Sequence, residues 1–248
     1  MWPSIIELRE FYATPRGRMA AARISHTLAP LLGASGQMVA YGYAPPFLSA
    51  TTVNDITLLM PAAQGVAPWP EPSANLGPNR AVLCEETLWP LPDQSIDTVL
   101  LVHALENCAD PAALLTEAWR VLKGSGRLIL VVANRRGLWS RAEATPFGRG
   151  RPFTATQLRR QLHAVQFVPE GWRRSLYTPP FKAAWALATA PVWEMLGARL
   201  LPLHGGAIVM QAAKQLYAPV GPVAGTAPSL AQKLLSMPQI MPQPQHRV

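Results

Sequence analysis

The chain has 248 residues, 49% of them hydrophobic and 15% charged, with a mean hydropathy of +0.11. That balance excludes a disordered polymer and is enough for one large α/β domain or two small ones. A net charge of +8 favours anionic partners, but no aromatic-interleaved nucleic-acid module accompanies it, and a general solubility charge is the plainer reading.

The N-terminal segment lacks the basic and long apolar regions of a signal peptide, so a cytoplasmic location is expected. Residues 4–32 read as two helices broken at Pro15-Arg16-Gly17, with Ile5, Leu8, Phe11 and Tyr12 on one face of the first and Gly33 and Gly36 ending the second. Gln37–Gly42 reads as a short buried strand, followed by a helix or loop from Pro46 to about Val53. Asp55–Met60 is the second strand and Arg80–Cys84 the third, separated by a Pro-, Ala- and Gly-rich loop. Ile96–Val102 is apolar throughout, as a strand buried on both faces requires. Asp110 and Pro111 cap and open a helix that Gly124 and Gly126 are expected to end. Arg127–Ala133 is a further strand, 154–165 a helix, and 207–212 the last strand. The apolar run Ala183–Trp193 is too short and interrupted to span a bilayer. It reads as a buried or amphipathic helix, and its Trp185 and Trp193 suit either core packing or a membrane interface. Strand and helix in alternation predict right-handed crossovers and a parallel sheet. After Pro219 the Pro-, Gln- and Met-rich sequence reads as a disordered tail.

Three linked blocks carry a resemblance. They are Glu85-Glu86-Thr87-Leu88-Trp89-Pro90-Leu91-Pro92-Asp93-Gln94-Ser95-Ile96-Asp97-Thr98-Val99, then His103-Ala104-Leu105-Glu106-Asn107, then Glu117-Ala118-Trp119-Arg120-Val121-Leu122-Lys123-Gly124-Ser125-Gly126. In this order, over about fifty residues, they resemble the type 11 subgroup of class I S-adenosylmethionine (SAM) dependent methyltransferases. The resemblance implies a Rossmann-like, mostly parallel sheet of seven strands, with helices on both faces and an antiparallel last strand. It divides the chain into an N-terminal helical lid at 1–36, a methyltransferase-like domain at 37–218 and a tail at 219–248. Asp97 and Arg120 are expected to pair or cap within it.

The resemblance also places SAM outside the carboxyl ends of the first strands. The cofactor positions are then Gly42, Tyr43 and Ala44 in the first turn, Met60 ending the second strand, Glu85 after the third and His103 after the fourth. The family's pattern is altered here. Ala44 and Pro46 stand at the second and third glycines, and Met60 stands where a carboxylate holds the ribose hydroxyls. Loss of that charge-assisted contact costs about 2–4 kcal/mol, or roughly one and a half to three decades of affinity. Glu85 is placed to take the adenine side.

Methyl transfer needs positioning more than a catalytic group, and His103 is the candidate base, against the plainer role of a hydrogen-bonded wall residue. Tyr12 and Arg16 are candidates for the lid, and Tyr177–Phe181 for a rigid turn near the pocket. The basic loop Arg135–Arg151 is expected to rim the pocket and favour an anionic partner. Cys84 and Cys108 have neither metal-site spacing nor a disulfide framework. Nucleophile-elbow and phosphate-loop motifs are also missing from the sequence. Two functions follow: a methyltransferase of unidentified acceptor, or an inactive scaffold or binding protein that kept the fold.

Overall fold

In the computed structural model, residues 3–32, 36–48, 56–70, 78–181 and 183–216 are described. The expectations for Gly33, for residues 49–55, for the side chain of Trp185 and for the tail beyond 216 lie outside them. Residues Met1–Leu216 form one compact unit.

Seven strands form one sheet in the order β3-β2-β1-β4-β5-β7-β6. They are β1 Met38–Gly42, β2 Ile56–Pro61, β3 Ala81–Cys84, β4 Ile96–Val102, β5 Leu122–Ala133, β6 Phe167–Ser175 and β7 Ala207–Lys214. Strands β1 to β5 run parallel, while β7 is antiparallel to both β5 and β6. This is the expected Rossmann-like sheet with an antiparallel last strand. The sixth strand was not located from sequence. Pro169 and Gly171 disrupt its pattern at a register shift against β7.

Alternation sorts the sheet residues onto two faces. Ala40, Leu58, Met60, Leu100, Val102 and Val131 point into a core completed by α1 (Ile5–Ala13), α2 (Pro15–Leu28) and α3 (Pro45–Leu48). Val39, Tyr41, Leu59, Leu101 and Leu130 face the opposite core, under α4 (Pro111–Val121) and α5 (Ala155–Ala164). With both faces covered, the central strands have no polar side, which explains their unbroken apolar runs.

The helix starts follow local rules. Ser4 and Glu7 form a capping box on α1. Thr14 caps α2, whose first residue is Pro15, so the break read at that proline is a helix start. Asp110 caps α4 through the amides of Ala112 and Ala113. The C-terminus of α4 corrects the sequence reading. The helix ends at Val121, and Gly124 and Gly126 fall inside a bulged entry to β5. A β-carbon on Gly126 would meet Leu122 Cδ2 at 2.8 Å and Lys123 O at 3.0 Å, so the glycine serves a close approach.

Asp97 and Arg120 also find other partners than each other. Asp97 takes Lys123 Nζ at 2.8 and 2.9 Å and the Gln37 amide at 2.9 Å. Arg120 binds Glu117, Asp93 and the carbonyls of Leu91 and Trp89, fastening the segment before β4 to α4.

The connection from β6 to β7 leaves and returns at the carboxyl end of the parallel strands, because Ser175 pairs with Ala207, which pairs with Ala133. It holds α6 (Ala184–Ala188) and α7 (Ala190–Leu200). The apolar run read there as one helix is therefore two, and α7 is mostly exposed.

Candidate functional site

Strands β1 and β4 are neighbours, but their connections leave in opposite directions, toward β2 and toward β5. A crevice at their carboxyl ends is the general ligand position of such a sheet. Gly42 turns the chain there with φ of 91°, and a β-carbon on it would lie 2.2 Å from Val102 O. The turn therefore needs glycine at this position. The Tyr43 amide then bonds Val102 O at 3.1 Å. Ala44 is fully buried, and Pro45 and Pro46 open α3, where missing amide donors carry little cost.

A buried string of side chains crosses the crevice. Tyr12 Oη lies 2.7 Å from His103 Nε2, and His103 Nδ1 lies 3.0 Å from Glu106 Oε1. Glu106 Oε1 also accepts from the Ala133 amide at 3.1 Å, while Glu106 Oε2 is buried with no partner among the described residues. Burial, reinforced by the Glu106 charge, pushes the Tyr12 hydroxyl well above its ordinary pKa, so Tyr12 stays protonated. Tyr12 then donates to Nε2, and the proton on Nδ1 is held by the carboxylate. His103 has φ of 51°, an uncommon backbone region for a residue with a side chain. Its amide bonds Val131 O, and Asn107 Nδ2 holds its carbonyl at 2.8 Å.

Aromatic rings close the space over this string. Tyr12 stacks on Tyr43 with centroids 5.7 Å apart and meets Phe47 edge-on at 5.6 Å. Phe147 packs against His103 at 4.9 Å. The crevice is thus covered by α1, a separate element, and Arg149 fastens that helix through Glu7 Oε1 at 2.8 Å. Residues 149–151 of the basic loop lie at this end. The Arg151 amide bonds Glu106 O, and a β-carbon on Gly150 would meet the same oxygen at 2.3 Å. Arg16 reaches the Pro180 carbonyl, and Trp139 Nε1 donates to Thr178 O at 2.6 Å, which brings the 177–181 turn to the same end.

Of the six residues assigned to a cofactor, Gly42, Tyr43, Ala44 and His103 converge on the crevice. Met60 is the buried penultimate residue of β2, and its Sδ accepts from the Ala67 amide at 3.2 Å. Glu85 is exposed, in a turn bridged to Leu88, outside the buried string. Three residues escaped the sequence reading. Glu106 belongs to the His103–Asn107 block but had no chemical signal of its own. Phe147 lies in a loop without periodicity. Gln64 follows β2, and its Oε1 is buried without a partner among the described residues, while its carbonyl accepts the Ile5 amide of α1. A cavity of about 650 Å³ lined by Gln37, Met38, Ile56 and Ile96 sits at the amino ends of the strands, away from this chemistry.

Residues 64–130 match the family described as Methyltransferase domain. No curated protein matches the chain. Among solved structures, a Thermotoga maritima SAM-dependent methyltransferase, described as a possible histamine N-methyltransferase, is 18% identical. The match covers 85% of this chain and 96% of that one, with a TM-score of 0.60. A Haloferax volcanii putative methyltransferase in complex with the Trm112 activator is 16% identical, covering 87% and 100%, with a TM-score of 0.56. The Streptomyces coelicolor geranyl diphosphate C-methyltransferase, solved with Mg²⁺, geranyl diphosphate and S-adenosylhomocysteine, is 13% identical, covering 86% and 88%, with a TM-score of 0.52.

Proposed function

Starting from a chain with the class I SAM-dependent methyltransferase fold and a methyltransferase-domain sequence over residues 64–130, we propose that it binds SAM in the crevice over Gly42 and transfers its methyl group. The observation that carries this reading is the glycine turn opening onto the strained His103 at the switch point. SAM supplies an electrophilic sulfonium methyl. The backbone of Gly42, Tyr43 and Ala44 would hold the cofactor, with Gln64 in place of the missing ribose carboxylate and Glu85 on the adenine side. The fit requires residues 1–36 to act as a lid, with α1 lifting so that Tyr12 leaves the crevice.

His103 Nε2 is then the basic group released toward the acceptor. Glu106 keeps Nδ1 protonated, so Nε2 presents a lone pair that can take the acceptor's proton. The arginines of the loop 135–151 favour an anionic acceptor. Cytoplasmic residence is part of the same reading; among the described residues no helix is long and apolar enough to cross a membrane.

The scaffold alternative gains nothing from these matches. The crevice is closed by a tyrosine on a neighbouring helix, and the glycine turn itself is not collapsed. Isothermal titration with SAM and with S-adenosylhomocysteine tests the proposal. Micromolar binding supports it, and no binding at millimolar ligand refutes it.

A further inference from the structure

The chain from α7 into β7 breaks the usual rule that a helix buries its apolar side. Only Ala190 of α7 is buried. Val192, Trp193, Met195, Leu196 and Leu200 are 41–68% exposed, and Leu201 and Leu203 follow at 56% and 42%. Isolated exposed leucines are ordinary, but a contiguous apolar surface of this kind marks a contact. Beside it runs an apolar groove of about 220 Å³, lined among others by Leu138, Tyr177, Pro179, Trp193, Leu196 and Leu200.

The charge around this surface is one-sided. Arg199 is exposed on α7 itself, and Arg174 donates to Pro202 O just beyond it. Exposed Arg135, Arg136 and Arg141 belong to the loop that contributes Leu138. The acid of α7, Glu194, is turned inward onto the amide and hydroxyl of Thr178, each 3.1 Å away. A second copy docked face to face would bring arginines against arginines.

We propose that this face docks on an anionic lipid surface, with α7 lying in the interface. Trp193 and the leucines enter the headgroup boundary, and the arginines meet lipid phosphates. An apolar helix face with a tryptophan and a basic rim binds in this way, and an anionic leaflet attracts such a rim. Because the β6–β7 connection sits at the carboxyl end of the sheet, docking turns the crevice end toward the lipid. The proposal stands without the cofactor reading, since docking needs no SAM.

Flotation of the full chain with vesicles tests it. One set is pure phosphatidylcholine and the other is phosphatidylcholine with 30 mol% phosphatidylglycerol, a composition of our choosing (~30%) that gives an anionic surface. The protein is expected to float with the anionic set and to detach in high salt. Leu196→Glu with Leu200→Glu should weaken binding more than tenfold, and Arg141→Glu by about fivefold or more. Both variants change exposed side chains, so circular dichroism and melting temperature should match the parent. Failure of the parent to float with either set overturns the proposal. So does undiminished binding by the leucine variant. Light scattering that shows a dimer dissolved by the same leucine changes would assign the face to a second copy instead.

Discussion

Replacing Tyr12 by phenylalanine separates a lid from a wall. The phenylalanine keeps the ring that stacks on Tyr43 and meets Phe47 but deletes the hydroxyl 2.7 Å from His103 Nε2. Both residues are buried, so the histidine nitrogen is left without a donor in the closed arrangement. An unsatisfied buried acceptor costs about 1–3 kcal/mol. In the open arrangement Nε2 meets water or ligand, so that cost falls on the closed state alone. Apparent affinity for a ligand of the open state scales with the open fraction. The variant should therefore melt at a lower temperature and bind SAM more tightly, by about fivefold to a hundredfold for that energy. Calorimetric melting and isothermal titration on the same preparations give both quantities. Affinity that is unchanged, or that falls with stability, would refute the lid argument and make Tyr12 part of a fixed wall.

Arg149→Glu sets two carboxylates against each other at Glu7 and should loosen α1, raising proteolysis near Ala13–Arg18 by a few-fold without a large change in melting; equal cleavage rates would count against the tie. Gly42→Ala forces a left-handed turn into a β-carbon clash with Val102 O and should cost about 3 kcal/mol or more, read as a lower denaturant midpoint. Burial pushes the Cys84 and Cys108 thiols up to about 12 from an ordinary 9.0. Their raised folded values make the stabilisation complete below pH 9 and progressively lost between pH 9 and 12, so stability should decline across that window. At pH 8 both thiols should resist alkylation until the protein unfolds.

The sheet was legible because parallel strands announce themselves through unbroken apolar runs, as in Ile96–Val102 and Arg127–Ala133. The helix cap at Asp110 was equally plain, since capping chemistry is local. Long-range pairing was not. Asp97 and Arg120 are spaced plausibly for each other, but Lys123 and Glu117 are better placed in three dimensions. Strand β6 escaped because Pro169 and Gly171 interrupt its alternation. At the crevice, Gly42 and His103 were read by position, whereas the Tyr12–His103 contact joins residues 91 apart in sequence. No local pattern encodes that contact; it exists because α1 folds back over the carboxyl ends of β1 and β4.

Arg120 gives the motif run a different meaning. Its guanidinium gathers the carbonyls of Trp89 and Leu91 with the carboxylates of Asp93 and Glu117, so two blocks of sequence some thirty residues apart form a single staple. Among the described residues, no hydrogen bond links that staple to the Tyr12–His103–Glu106 string. The first and third blocks of the resemblance thus hold one wall together, while the second block, through His103 and Glu106, enters the crevice itself.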